Sequence, residues 1–297
     1  LTIASIMDDA SKPDGWREMA RRCQTAGTQA IEINMSCPHG MPERGMGMAI
    51  CQDPEIAGQV TRWVKEATEL PVLVKMTPNI TDLTVPAGEC LQAGADALTA
   101  VNTVASIAGV DLESLTPLPN VWGSSTIGGL SGPAIKPIAL RAVAALAQAF
   151  EAPVSGVGGV TTWRDAAEFL LLGANHVQIC SSVMTRGYGL IDKLTEGLGG
   201  YMEQMGFSSV GQMTGLALKN LKDFQDLDDE RRVVAHINAG LCTACDACRV
   251  SCLDSGHQAI LKRREAGYEV NVKKCTGCSL CFHICPVAGC ITMVALS

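Results

Sequence analysis

The chain has 297 residues, of which 47% are hydrophobic and 18% are charged, and its formal net charge is −7. This composition is typical of a globular protein, and the length allows one large domain plus a small one. The acidic balance argues against a nucleic-acid partner, because phosphate binding needs an excess of clustered Lys and Arg. No uninterrupted apolar stretch reaches the roughly 18 residues of a membrane span, and no secretory leader is evident. We therefore expect no membrane partner and a cytoplasmic location.

Short apolar runs alternate with helix-like stretches through the first two thirds of the chain. The six runs are 1–7, 30–37, 71–79, 97–103, 152–159 and 176–183. The clearest helical stretches between them are 15–26, 54–69 and 134–150. This alternation predicts an α/β fold with a parallel sheet covered on both faces.

The polar and glycine-rich ends of these runs indicate which α/β fold forms. Chemistry placed at the carboxyl ends of successive strands is typical of a TIM (β/α)8 barrel, which needs eight units where this sequence supplies six. The chain opens inside an apolar run and begins with Leu1 rather than Met. We therefore expect a TIM-type barrel truncated at its N-terminus, with the first two units missing. A doubly wound six-stranded sheet is the alternative.

The distribution of cysteines divides the chain into domains. We predict a barrel over 1–204, a connector over 205–234 and a second domain over 235–297. Within the connector, the Lys-, Asp- and Glu-rich stretch 219–232 predicts a helical, solvated segment. Nine of the fourteen cysteines lie between Cys242 and Cys290. In a long chain without an export signal, such crowding favours metal or redox chemistry over disulfides.

Two cysteine runs in the second domain share the spacing C-x2-C-x2-C-x3-C. The first is Cys242, Cys245, Cys248 and Cys252, and the second is Cys275, Cys278, Cys281 and Cys285. In two-cluster bacterial ferredoxins the fourth cysteine of each run binds the other cluster. We therefore expect a ferredoxin-like α+β domain with two [4Fe-4S] clusters. The predicted ligand sets are Cys242, Cys245, Cys248, Cys285 and Cys275, Cys278, Cys281, Cys252.

Alternatives to this metal assignment can be weighed from the spacing. A pair of zinc sites would leave the regular third and fourth thiols of each run unexplained. Cys290 lies outside the pattern and is expected to be a small buried hydrophobe.

The clusters imply a second redox group in the barrel, because they transfer single electrons and do no bond chemistry. A flavin exchanges single electrons with clusters and a hydride with a substrate. Three glycine- or serine-rich loops, at 128–132, 157–160 and 180–182, predict a phosphate site. Lys75, at the end of its apolar run, would place positive charge near the anionic ring of a reduced flavin.

The loop 34–47 is the strongest candidate for the catalytic segment. It begins at a strand end and continues as a glycine- and methionine-rich stretch without a helical period, which is typical of a mobile lid. Cys37 could donate a proton to a developing carbanion, whereas a buried structural cysteine is the alternative. Asn34, Asn102 and Thr103 offer donors and acceptors that complement an amide-bearing ring.

These features resemble the dihydropyrimidine dehydrogenase family, in particular the FMN and iron-sulfur subunit of its bacterial NAD-dependent members. The motifs that carry the resemblance are Asn-Met-Ser-Cys-Pro-His-Gly from Asn34, Lys-Met-Thr-Pro-Asn from Lys75, Asn102-Thr103, Gly-Leu-Ser-Gly from Gly129, Ile-Lys-Pro-Ile-Ala-Leu-Arg from Ile135, and both cysteine runs.

The resemblance implies a role for each matching residue. Cys37 would be the general acid. The residues implied to contact the pyrimidine are Asn34, Met35, Ser36, Asn102 and Thr103. The residues implied to contact FMN are Asn34, Lys75, Gly132, Val157, Gly158, Gly159, Cys180 and Ser181. The implied reaction, in pyrimidine catabolism, is reversible reduction of uracil or thymine, with hydride from FMN to C6 and a proton from Cys37 to C5.

The source of electrons is also implied by the resemblance. No G-x-G-x-x-G follows a strand and opens a helix, so the sequence offers no nicotinamide site of its own. The family implies a separate reductase subunit that holds FAD and NAD(H), within a homo- or hetero-oligomer.

Two other functions stay open at this point. A dihydroorotate dehydrogenase has a related FMN barrel, although the C-terminal clusters argue against it. A plain electron carrier with an inactive barrel is the other, although the 34–39 loop and Lys75 argue against that.

Overall fold

The alternating apolar and amphipathic segments fold into strands and helices much as the sequence predicts. The structure is a computed structural model that describes residues 1–228, 231–263 and 267–296. Its elements form two compact units, Leu1–Leu221 and Lys222–Ser297. In the first unit they are β1 (Ile3–Ile6), α1 (Pro13–Thr25), β2 (Ala30–Asn34), α2 (Met48–Cys51), α3 (Pro54–Lys65), β3 (Val72–Lys75), α4 (Thr84–Gln92), β4 (Ala97–Ala100), β5 (Val104–Ser106), β6 (Gly109–Asp111), β7 (Thr116–Leu118), β8 (Gly128–Leu130), α5 (Lys136–Ala149), β9 (Val154–Val157), α6 (Trp163–Leu171), β10 (His176–Gln178), α7 (Ser181–Arg186) and α8 (Leu190–Met205). In the second unit they are β11 (Val233–Ile237), α9 (Ala247–Asp254), β12 (Ile260–Arg263), β13 (Gly267–Val270), α10 (Leu280–Ile284) and β14 (Ile291–Ala295).

The six predicted strands form one parallel sheet in the order β1-β2-β3-β4-β9-β10. Each strand therefore pairs with the next predicted strand along the chain. A doubly wound sheet would instead reverse its strand order at a switch point. The sequential order is that of a barrel, so the TIM-type prediction is confirmed and the doubly wound alternative is wrong.

The helices cover this sheet with their apolar faces. Trp16 of α1, Val60 of α3 and Leu146 of α5 are fully buried in one core with the strand residues Ile31 and Leu98. Burial on both sides explains why the strands read as near-continuous apolar runs. A continuous core of this kind holds the carboxyl ends of the strands in fixed positions relative to one another.

Asp165 links two of the helices that follow the sheet. Its carboxylate and the Thr162 hydroxyl form a capping box at the start of α6. The same carboxylate accepts a hydrogen bond from Lys136 Nζ, at the start of α5, over 2.6 Å. Burial alone would raise the pKa of Asp165, but the hydrogen bonds from Lys136 and Thr161 hold it well below its usual range. This charged group therefore fixes α5 against α6 beside the predicted phosphate loops.

A long excursion separates β4 from α5. It contains two small antiparallel ladders, β5 with β8 and β6 with β7. Neither ladder was predicted from the sequence, because the hydrophobic residues of 104–130 follow no clear helical or strand period.

The predicted connector 205–234 is divided between the two units. Met213 is fully buried, and the backbone N–H of Gly215 donates to the carbonyl oxygen of Leu170 over 3.0 Å. The helix predicted for 219–232 is not formed in the described part, which has only 3-10 turns at Leu218–Asn220 and Phe224–Asp226. The apolar residues of this stretch, Leu221, Phe224 and Leu227, are exposed, so packing against a core does not stabilise a longer helix there. Residues 229 and 230 lie outside the described residues.

The second unit is a small α+β fold with a core made largely of cysteine. β11 pairs with β14 and β12 pairs with β13, both antiparallel. Cys248, Cys281 and Cys290 are buried with Tyr268 and Ile291. In neither unit does a described helix combine the length and the apolar character needed to cross a bilayer.

Candidate functional site

A cavity of about 240 Å3 opens at the carboxyl ends of the barrel strands. Seven of the eight residues predicted to contact FMN line it: Lys75, Gly132, Val157, Gly158, Gly159, Cys180 and Ser181. Two of the residues predicted to contact the pyrimidine, Asn102 and Thr103, line the same cavity. The structure therefore brings together residues that lie more than a hundred positions apart in the sequence.

The glycine loops at one end of the cavity fit a phosphate-bearing group. Gly158 and Gly159 have φ of 131° and 79°, which side chains rarely adopt. A Cβ added to Gly159 would lie 2.8 Å from Lys136 Cβ and 2.9 Å from the carbonyl oxygen of Gly132. The hydroxyls of Ser131 and Ser181 meet over 2.9 Å at this end. Bare backbone and paired hydroxyls are the lining that phosphate oxygens need, so the cavity fits FMN.

Lys75 sits at the other side of the cavity within a polar network inside the sheet. Its ammonium nitrogen lies 3.2 Å from Glu32 Oε1 and 3.4 Å from Gln178 Oε1. Glu32 Oε2 accepts hydrogen bonds from Thr99 Oγ1 and Gln178 Nε2, each over 2.9 Å. Gln178 Nε2 also donates to Ser155 Oγ over 3.0 Å. The positive charge of Lys75 is therefore held on the cavity wall by buried partners.

Asn102 organises the residues predicted to bind the pyrimidine. Its Nδ2 donates to Asn34 Oδ1 over 3.0 Å and to Ser36 Oγ over 2.9 Å. Its Oδ1 accepts from the backbone N–H of Thr103 over 2.8 Å. Asn79 holds the same segment, since its Nδ2 donates to the carbonyl oxygen of Thr103 over 3.1 Å. These contacts fix the orientation of the Asn102 and Asn79 side-chain amides.

The remaining predicted contacts are placed differently. Asn34 is absent from the residues that line the cavity and reaches it through Asn102. The Met35 side chain is fully buried in the hydrophobic core, and Ser36 is fully buried as well. The carbonyl oxygen of Met35 accepts from the N–H of Cys51 over 3.2 Å.

Cys37 lies on a loop that a backbone hydrogen bond to Met48 anchors. The carbonyl oxygen of Cys37 accepts from the N–H of Met48 over 3.0 Å, and its Sγ lies 3.6 Å from His39 Nδ1. A Cβ added to Gly129 would collide with Thr103 and would come within 3.3 Å of Pro38 Cγ. The cysteine loop, Thr103 and the 128–130 strand therefore meet at the mouth of the site. A second cavity of about 370 Å3 borders this loop and is lined in part by Pro38, His39 and Thr126.

Two further cavities, both in the second unit, contain the predicted cluster ligands. One is lined by Cys242, Cys245, Cys248 and Cys285, and the other by Cys275, Cys278, Cys281 and Cys252. In each set the fourth cysteine comes from the other run. Four cysteines that line one cavity are the residue types that a [4Fe-4S] cluster requires as ligands.

Burial also shapes the chemistry of these thiols. It raises the pKa of Cys248 to about 11 and raises that of Cys281. Cys290 is buried as expected, and it borders the first of the two cavities. Thiols must give up their protons when metal binds, so we expect cluster loading in this unit to depend on pH.

Sequence reasoning missed the polar residues inside the sheet. Glu32, Thr99, Ser155 and Gln178 surround Lys75, and none of them belongs to a recognisable motif. A signal was present in β2, whose residues alternate so that Glu32 and Asn34 lie on the same face.

Comparisons with known proteins agree with the two kinds of site. The profile of the dihydroorotate dehydrogenase family matches residues 3–202, and that of the 4Fe-4S dicluster domain matches residues 235–293. The fold and the sites thus define a β/α-barrel flavin oxidoreductase joined to a two-cluster domain.

The relatives identify the family more closely. The chain is 43% identical to the NAD-dependent dihydropyrimidine dehydrogenase subunit PreA of Escherichia coli (strain K12), over 99% of this chain and 71% of that protein. It is 43% identical to the chloroplastic dihydropyrimidine dehydrogenase (NADP(+)) of Arabidopsis thaliana, over 76% and 54%. It is 46% identical to the catalytic subunit of dihydroorotate dehydrogenase B (NAD(+)) of Thermococcus kodakarensis, over 64% and 60%. The chain belongs to the dihydroorotate dehydrogenase family and to the dihydropyrimidine dehydrogenase subunits within it.

Proposed function

We propose that this chain is the FMN and iron-sulfur subunit of an NAD-dependent dihydropyrimidine dehydrogenase. The observation that carries the proposal is the cavity of about 240 Å3 at the strand ends, where Lys75, Asn102 and the glycine loops meet beside the Cys37 loop. Uracil and thymine are the proposed substrates. Reduction of their C5–C6 double bond takes two electrons and two protons, delivered as one hydride and one proton.

The residues of the cavity divide the work of binding. Lys75, Gly132, Gly158, Gly159 and Ser181 would hold FMN, which supplies the hydride for C6 when bound. Asn34 does not itself line the cavity but accepts through Oδ1 from Asn102, which does, and this leaves Asn34 Nδ2 to donate to a ring carbonyl. Amide side chains with fixed orientation match the alternating N–H and C=O groups of the ring.

Cys37 would complete the reaction. Hydride at C6 leaves negative charge that spreads from C5 to the C4 carbonyl, and the Cys37 thiol protonates C5. The Cys37 carbonyl is tied to Met48, so the thiol is carried on an anchored loop. In the reverse direction the thiolate takes the C5 proton.

Electrons would come from a partner subunit that binds FAD and NAD(H). This chain contains no dinucleotide motif, and its two cluster cavities offer a route for single electrons. We propose a cytoplasmic location for the assembly, because the eight cysteines assigned to the clusters have to stay out of disulfides, which suits a reducing compartment.

The test is an anaerobic half-reaction on the full chain. The reconstituted protein is reduced, the flavin and cluster absorbances are recorded, and uracil is added. Return of the oxidised flavin band with formation of dihydrouracil is the expected result, and orotate in place of uracil is the matched control. Oxidation by orotate alone would point to a dihydroorotate dehydrogenase, and clusters without bound flavin would point to an electron carrier.

A further inference from the structure

Glu32 is the one acidic side chain buried inside the described strands of the barrel sheet, with 7% of its surface exposed. It lies in the middle of β2, two residues before Asn34 and on the same face. Burying a carboxylate is costly unless it is paired and hydrogen bonded. An apolar residue would fill this strand position at lower cost, so the charge calls for an explanation.

The partners of Glu32 supply that explanation. One carboxylate oxygen faces Lys75 Nζ at 3.2 Å, and the other accepts two hydrogen bonds, from Thr99 and Gln178. Gln178 also accepts from Lys75 Nζ over 3.4 Å. Lys75 thus has two of its three N–H groups directed to fixed partners, while its side chain still lines the cavity. The third N–H is left for a ligand.

We propose that Glu32 is a positioning residue that sets both the place and the effective charge of Lys75. This inference rests on the proposed function, since the ligand that Lys75 faces is the flavin. With Glu32 ionised, the ammonium reaches the cavity wall as part of a neutral pair. Lys75 then offers a directed hydrogen bond while its field is largely compensated. The pair therefore limits how far the site favours the anionic, reduced form of the ring over the oxidised form.

The experiment measures the affinity of substrate-free protein for oxidised and for reduced FMN. Glu32→Gln removes the compensating charge and leaves the length of the side chain unchanged. An uncompensated ammonium on the cavity wall should favour the anionic, reduced flavin, and should raise the dissociation constant for oxidised FMN relative to that for reduced FMN by about tenfold. The same change should appear as a higher midpoint potential of the bound flavin.

Thr99→Val is the matched control. It breaks the Thr99–Glu32 hydrogen bond but keeps the carboxylate and nearly the same volume. The ratio should stay within about twofold of the parent value, because the Glu32–Lys75 pair survives. Equal shifts in the two variants would show a merely structural role and would overturn the proposal. An unchanged ratio in Glu32→Gln would overturn it as well.

A second measurement needs no flavin. In the protein without FMN, an amine-specific reagent should label Lys75 faster in Glu32→Gln than in the parent, because the ammonium has lost its carboxylate. Lys65, paired with Asp96 at 2.8 Å in the same unit, is the internal standard and should keep its rate. An unchanged Lys75 rate would refute the positioning role. Failure of the parent protein to bind FMN would instead refute the proposed function, so the two outcomes are distinct.

Discussion

Replacing Gly159 by Ala tests whether bare backbone at the end of β9 forms the flavin cradle. Gly159 has φ of 79°, and an added Cβ would lie 2.8 Å from Lys136 Cβ, 2.9 Å from Gly132 O and 3.0 Å from Lys136 N. Two of these three atoms belong to the backbone, so they cannot move without shifting the loop and the first residue of α5. The substitution therefore disturbs the wall of the cavity directly.

The size of the effect has two parts. A non-glycine residue in the left-handed region costs about 1–2 kcal/mol, and forcing a methyl group against packed atoms adds about 1–3 kcal/mol. We expect the free energy of unfolding to fall by about 2–5 kcal/mol, the sum of these two terms. Displacement of the Gly132 carbonyl should also weaken FMN binding by about tenfold or more, the equivalent of about 1.4 kcal/mol.

Gly206→Ala is the matched control, because Gly206 has nearly the same φ, 77°, and open space around its Cα. It ends α8 and does not line the cavity. Only the backbone cost should apply, so unfolding should change by about 1–2 kcal/mol and FMN binding should not change. Urea denaturation and quenching of flavin fluorescence measure the two quantities. Equal destabilisation of the two variants with unchanged FMN affinity would refute the steric argument and the cradle assigned to this loop.

Three other changes give separate outcomes. Cys37→Ala should lower turnover by about 100-fold or more while leaving flavin reduction intact, because only the proton donor is lost; unchanged turnover in a uracil assay would contradict the role. Asp165→Asn should lower the free energy of unfolding by about 2 kcal/mol at pH 7. The folded pKa of Asp165 is depressed because hydrogen bonds led by Lys136 outweigh burial. The difference should therefore persist above the ordinary carboxyl pKa and shrink as the pH falls below it, which a pH series of urea denaturation checks. Cys252→Ser should remove about half of the bound iron, since one cluster loses a ligand, whereas Cys290→Ser should retain it; equal losses would contradict the ligand sets.

The barrel strands could be predicted because their signal is local. Each run such as 72–75 combines buried aliphatic residues with a polar end, and the sheet order then follows from connecting neighbours in sequence. The ladder that pairs 104–106 with 128–130 could not be predicted in this way. Both strands are three residues long and the second begins with two glycines, so pairing depends on the packing of the whole excursion rather than on residue type.

The grouping of the predicted cluster ligands around two cavities could also be anticipated, for a different reason. Three thiols spaced three residues apart on a tight loop must face one point, so spacing alone nearly fixes the geometry of each set. The contribution of the fourth cysteine from the other run follows from the same pattern, and the two cavities contain those predicted groups.

The polar network around Lys75 could not be predicted from sequence motifs, because it depends on strand register. Gln178 lies 146 residues from Glu32 in the sequence and meets it only inside the rolled sheet. Nothing in the two local sequences requires that contact. Alternation along β2 places Glu32 beside Asn34 on one face, but the burial of that face becomes evident only when β3, β4, β9 and β10 are aligned. A lone charged residue in an apolar strand is therefore informative: its cost must be offset by a partner, and here the partner is the lysine that lines the cavity.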